Sequence, residues 1–119
     1  MAAIKFKKEF YNLIKEGKKT QTLRIPQKRL DLKKYDFATC IFEGCDEQIF
    51  VTITDVGYKY WQSLNDEDAK REGFDTLDDL KKFLYSIYHD VPSWGRLYYY
   101  RFKVEGFTVR VGEENEENV

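Results

Sequence analysis

The segment 76–88 constrains this chain more than any other. Thr76 can cap a helix, with Asp79 three residues on, and Leu77, Leu80, Phe83, Leu84, Ile87 and Tyr88 then recur every three or four residues. A helix with one apolar stripe must bury it against another element, and most of the remaining apolar residues alternate in the period of a strand. Residues 4–6, 21–25 (stopped by Pro26), 35–42, 48–56 and 97–104 read as strands, with 107–111 as an added edge. Residues 8–16 form a first helix that ends at Gly17. Asn65 caps a second, with Asp66, Glu67 and Asp68 in its first turn and Gly73 beyond its end. Five or six short strands with three helices between them predict an α+β fold, arranged as a small mixed β-barrel with about three flanking helices and not as a layered βαβ sheet.

The 119 residues suffice for one core. We expect a single domain over 1–112 and a disordered acidic tail over 113–119. The longest apolar run, residues 38–42 with Thr39 inside it, falls far short of a membrane span, and charges interrupt the N-terminal stretch where a secretory signal would be apolar. A cytoplasmic protein with no membrane partner, monomeric by preference, is the expectation. Cys40, Cys45 and the single His89 are too few for a closed four-ligand zinc site, so no metal and no cofactor are expected, and the two cysteines read as reduced, packed thiols. His89 reads as an ordinary residue at a helix end.

The net charge of −1 is unevenly spread. Residues 1–34 carry eleven Lys and Arg against Glu9, Glu16 and Asp31, whereas four glutamates crowd residues 113–117. A basic first third suits either a local anion site, such as one for a phosphate-bearing ligand, or a solvated lysine-rich surface.

Chemistry concentrates at residues 17–24, where Lys18, Lys19 and Arg24 lie among Thr20 and Thr22 between a helix end and a strand. A threonine hydroxyl beside a lysine of depressed pKa can act as a nucleophile. That pairing requires Lys19 to sit in the turn, since residues three apart along a strand point to opposite faces. Otherwise Lys18 and Lys19 are solvated at a helix C-terminus and Thr22 is a strand residue. Glu72 ends a helix where its carboxylate opposes the dipole, which leaves it available to hold a cation or polar ligand, or simply to pair with a surface lysine. Trp94 and Arg96, on a loop, could stack a base and contact phosphate, or Trp94 could close the mouth of the core.

These residues resemble the ASCH family, a small PUA-like domain. The shared run is G-x-K-x-x-T-x-R, here Gly17, Lys19, Thr22 and Arg24, followed by Glu72-Gly73-Phe74, by Leu80-Lys81-Lys82 with Ile87-Tyr88, and by the aromatic strand from Tyr98 to Lys103. The likeness spans roughly residues 4–105. It implies a β-barrel with flanking helices and a cleft suited to RNA or a modified nucleoside. One bacterial branch consists of N4-acetylcytidine amidohydrolases, whose lysine, threonine and glutamate fall on Lys19, Thr22 and Glu72. The resemblance thus implies a metal-independent amidohydrolase in which Thr22 attacks the acetyl carbonyl, Lys19 takes its proton and Glu72 serves the departing amine. From its charge, Arg24 is expected to bind substrate or the oxyanion. Relative to that branch the chain has a longer basic connection over 27–34, including Lys28 and Arg29, a longer loop around Trp94 and the acidic tail. These features favour a polymer in the cleft, and so a non-catalytic RNA-binding module using Lys18, Lys28, Arg29, Trp94 and Arg96 is the alternative. A protein-interaction domain in an RNA-handling complex is a third reading.

Overall fold

The computed structural model describes residues 2–108. Its elements run β1 (Ala2–Phe6), a 3-10 turn (Lys8–Phe10) leading into α1 (Tyr11–Lys15), β2 (Gln21–Arg24), β3 (Phe37–Phe42), β4 (Gln48–Tyr60), α2 (Asp66–Arg71), α3 (Leu77–Tyr88) and β5 (Arg96–Phe107). The strands form one mixed sheet in the order β1-β3-β4-β5-β2. Among the described strands only the β1–β3 pairing is parallel, with Ile4 opposite Cys40 and Phe6 opposite Phe42. The long antiparallel β4–β5 pair carries two register shifts, at Phe50/Val51 and Ile53/Asp55. Such bulges add bend and twist, and here they curl the sheet into a half-barrel. The mixed α+β architecture with three helices is the one the sequence predicts.

Alternation places Ile4 and Phe6, Ala38, Cys40 and Phe42, and Ile49, Val51 and Ile53 on one inner face, where they pack with Phe102, Phe10 and Ile14. A second cluster holds Leu23 and Leu97 against Leu64, Ala69, Leu80 and Leu84. The stripe of α3 is therefore buried as expected, on the side of the sheet where β2 ends the array. Thr76 caps α3 through Asp79 N, and Asn65 with Asp68 forms a reciprocal capping box on α2.

Several boundaries differ from expectation. The first helix, expected over 8–16, is a 3-10 turn followed by five α residues. Strand β3 starts at Phe37 because Tyr35 turns through a positive φ of 77°. Strand β4 continues past Val56 to Tyr60. Gly57, within that extension, is covered by the Tyr99 ring, and a Cβ there would lie 2.6 Å from the Tyr99 hydroxyl oxygen. Phe107 belongs to the end of β5 and not to a separate edge strand, while 109–111 and the acidic tail lie outside the described residues. Both cysteines are free thiols, Cys40 buried and Cys45 half-buried against Glu47. None of the described helices is long and apolar enough to cross a membrane.

Candidate active site

Two helix ends build the site. At the end of α1, Gly17 takes a positive φ of 78°, and the amides of Lys18 and Lys19 both return to the Leu13 carbonyl, at 2.8 and 3.0 Å. Lys19 thus lies in the turn, as its pairing with Thr22 requires, before the chain enters β2. The end of α2 is built alike: Gly73 has φ 90°, and Phe74 N returns to Ala69 O at 2.8 Å. The two turns meet directly. Thr20 N donates to Arg71 O at 2.7 Å, and a Cβ on Gly73 would lie 3.1 Å from Leu13 and 3.4 Å from the Lys19 Cβ.

This contact buries Lys19 beside Glu72, 53 residues away in sequence. Lys19 Nζ donates to both Glu72 Oε1 and the Glu72 carbonyl, each at 3.2 Å. A cation at a carbonyl that closes a helix also meets the negative end of the helix dipole. The ammonium also lies 4.6 Å from the centre of the Phe10 ring. Only 3% of the Lys19 side chain and 2% of the Glu72 side chain are exposed. Burial pushes the lysine amine below its ordinary range, with the glutamate charge opposing, and pushes the Glu72 carboxyl above its own, with the lysine opposing. Both shifts move the pair toward its neutral tautomer, an amine and a carboxylic acid sharing one proton. Glu72 Oε2, fully buried, has no hydrogen-bond partner among the described residues.

Thr22 and Arg24, two residues apart on β2, face the same way. Arg24 Nε donates to Thr22 Oγ1 at 3.1 Å, leaving the hydroxyl proton free for another acceptor. The far end of the same guanidinium donates to the Lys5 carbonyl on β1 at 2.9 Å. Arg24 therefore bridges β2 and β1, the two outer strands of the half-barrel. Lys19, Thr22, Arg24 and Glu72 line one cavity of about 100 Å³, walled by Phe6, Phe10, Leu23, Phe83, Leu84, Ile87 and Tyr88. That is room for a few waters or a short acyl group. A wider groove of about 580 Å³ shares Lys5, Phe6, Lys7 and Arg24 with the cavity and adds Lys28. Cys40 is no rival nucleophile, since burial pushes its thiol up to about 12.

The other sequence candidates lie apart from the cavity. Lys18 is solvated and paired with Glu16 at 3.2 Å. Arg29 lies over the Tyr98 ring at 5.2 Å, and Arg96 over the Tyr58 ring at 4.6 Å. Trp94 is 71% exposed and so does not close the core. Sequence reasoning passed over Gln21 and Asp68, both fully buried and in contact with each other at 3.5 Å. The capping position of Asp68 was visible, whereas the burial of Gln21 had no local signal. Among the described residues no cluster of His, Cys, Asp and Glu could hold a metal ion.

No protein-family model and no curated protein matches this sequence. Solved structures do resemble it. An ASCH domain from Lactobacillus crispatus superposes with a TM-score of 0.68 at 18% identity, over 87% of this chain and 78% of that one. A protein from Enterococcus faecalis matches with a TM-score of 0.64 at 15% identity, over 83% and 71%. A variant of the Zymomonas mobilis ASCH protein matches with a TM-score of 0.59 at 14% identity, over 98% and 92%. The mixed, curled five-stranded sheet with its three helices is accordingly the fold of the ASCH-domain structures.

Proposed function

We propose that the chain is a metal-independent amidohydrolase that removes a short acyl group from an N-acylated cytidine-type nucleoside, N4-acetylcytidine being the reference substrate. The observation that carries this reading is the buried Lys19–Glu72 pair opening, with Thr22 and Arg24, into a cavity of acyl size. A buried pair with one carboxylate oxygen unsatisfied is a poor device for stability, because desolvation offsets its attraction. Such a pair is a good device for proton transfer, because both groups are displaced toward neutral pH.

In this mechanism a proton first passes within the pair from the Lys19 ammonium to the Glu72 carboxylate, giving an amine and a carboxylic acid. The Thr22 oxygen attacks the acyl carbonyl and its proton passes to Lys19. Arg24, already at Oγ1, stabilises the oxyanion. As the C–N bond breaks, Glu72 delivers its proton to the departing cytidine nitrogen, leaving an acyl ester on Thr22, an ammonium and a carboxylate. Water then attacks the ester, giving its proton to Glu72, and Lys19 returns a proton to the Thr22 oxygen as the free acid leaves. All protons balance over the cycle.

The test is release of cytidine from N4-acetylcytidine by the wild type beside Thr22→Ala, Lys19→Ala and Glu72→Ala. Thr22→Ala should lower turnover by about 10³-fold or more with little change in nucleoside binding. A folded wild-type protein without turnover rejects this reading. The second reading, a non-catalytic RNA-binding module, is favoured by the lysines of the wider groove and by Arg29 and Arg96 held over tyrosine rings. It predicts RNA affinity that falls steeply with salt and weakens on charge reversal at Lys28 and Arg29.

A further inference from the structure

Helix α3 ends at Tyr88, because His89 takes a positive φ of 57° and the helical path cannot continue through it. Two segments cross the same boundary here. Leu23 and Arg24 of β2 line the cavity of about 100 Å³ that holds Lys19, Thr22 and Glu72, whereas residues 25–27, next along the chain, line a second cavity of about 340 Å³. Likewise Ile87 of α3 lines the first cavity and residues 90–92 line the second. Tyr88 belongs to both, and among the described residues it alone does. Its hydroxyl donates to the Leu23 carbonyl at 3.2 Å, which ties the end of α3 to β2 at that boundary. The half-buried ring is therefore anchored at one end by the helix backbone and at the other by the strand. An aromatic ring turns about only two side-chain torsions, and the hydrogen bond at its tip holds it in place.

We infer that Tyr88 is a specificity-determining residue: its ring partitions the reactive cavity from the larger one beside it and so limits the acyl group to a few carbons. The consequence for acyl transfer rests on the reading proposed above, whereas the partition does not. An acyl carbonyl held at Thr22 and Arg24 leaves its alkyl end among the apolar side chains of α3, and a chain of more than a few carbons meets the Tyr88 ring. Each methylene in excess of the space is worth roughly tenfold or more in selectivity. Removing the ring joins the two spaces. A longer chain then extends toward Ile25, Val91 and Pro92, which offer it apolar contact.

The experiment measures binding of two straight-chain acids, acetate and hexanoate, to the full chain, followed by NMR shifts of the backbone amides of residues 22–25 and 86–89. The acids carry the carboxylate and chain of the proposed product and require no turnover. Wild type should bind hexanoate no more tightly than acetate, and Tyr88→Ala should bind hexanoate about tenfold or more tighter than wild type does. Tyr88→Phe keeps the ring and loses only the hydroxyl, so its gain for hexanoate should be smaller than that of Tyr88→Ala. Tyr88→Leu, which keeps an apolar side chain on α3, carries the same expectation of a gain if Tyr88→Ala does not fold. Hexanoate affinity unchanged to within about threefold in the folded ring-deleted variant overturns the inference, as does a wild type that already prefers hexanoate to acetate by about tenfold. If wild type deacylates N4-acetylcytidine, Tyr88→Ala should also shift the ratio of kcat/KM toward N4-hexanoylcytidine by about tenfold or more. If it does not, the function proposed above fails while the acid titration still decides the role of Tyr88.

Discussion

Lys19→Met tests the buried pair most directly. The substitution removes a side chain that is 3% exposed and keeps most of its length, so it opens little space while leaving Glu72 buried without its cation. Breaking one side of a buried ion pair typically costs about 3–5 kcal/mol. For a domain of this size that corresponds to a fall in melting temperature of roughly 10–20 °C near pH 7. The loss should depend on pH in a stated direction. In the variant Glu72 retains its burial and loses the largest force opposing it, so its pKa in the folded state rises above the already elevated one. A carboxyl whose folded pKa exceeds its unfolded value of about 4.3 stabilises the fold below that value, and this contribution is lost as pH rises toward the folded pKa. Lys19→Met should therefore come closest to wild type near pH 4.5 and fall away toward pH 7.5. The double variant Lys19→Met with Glu72→Leu should recover most of the loss at pH 7.5, because no buried charge remains. Thermal unfolding followed by circular dichroism at both pH values closes the cycle. A single variant within about 2 °C of wild type at pH 7.5, or a double variant no more stable than the single, would refute the reasoning.

Two further predictions concern the frame around the site. Gly73→Ala puts a Cβ at φ 90° and 3.1 Å from Leu13, so the contact between the two helix ends should loosen at a cost of about 1–3 kcal/mol, read from urea unfolding. The Tyr100 hydroxyl donates to Leu30 O at 2.9 Å and accepts from Leu30 N at 2.8 Å. Tyr100→Phe should cost about 1–2 kcal/mol and raise amide exchange across residues 27–34, the connection that carries Lys28 and Arg29; unchanged exchange there would show that the tether is idle.

How much of this was legible beforehand follows from the range of the interactions involved. The α3 stripe, the Thr76 and Asn65 caps, the turn at Gly17 and the existence of the strands were determined by the sequence, because periodicity, capping and positive φ act within a few residues. The curl toward a barrel was predictable only in kind. A period-two pattern says which side of a strand is apolar but not which strand lies beside it, so the parallel pairing of β1 with β3 and the placement of β2 beyond β5 were decided by tertiary packing. The same holds for the continuation of β4 past Val56, where Gly57 lies under the Tyr99 ring. For the site, residue types and spacing singled out Lys19, Thr22, Arg24 and Glu72, yet surface solvation stayed open for the lysine and the glutamate. Only the meeting of two helix ends, 53 residues apart in sequence, buries them together. Burial then displaces their proton affinities, and desolvation belongs to the folded environment and to no local stretch of chain. Gln21 makes the point most sharply: an unremarkable glutamine in the sequence becomes, once enclosed, a fully buried amide between Arg101 and Asp68.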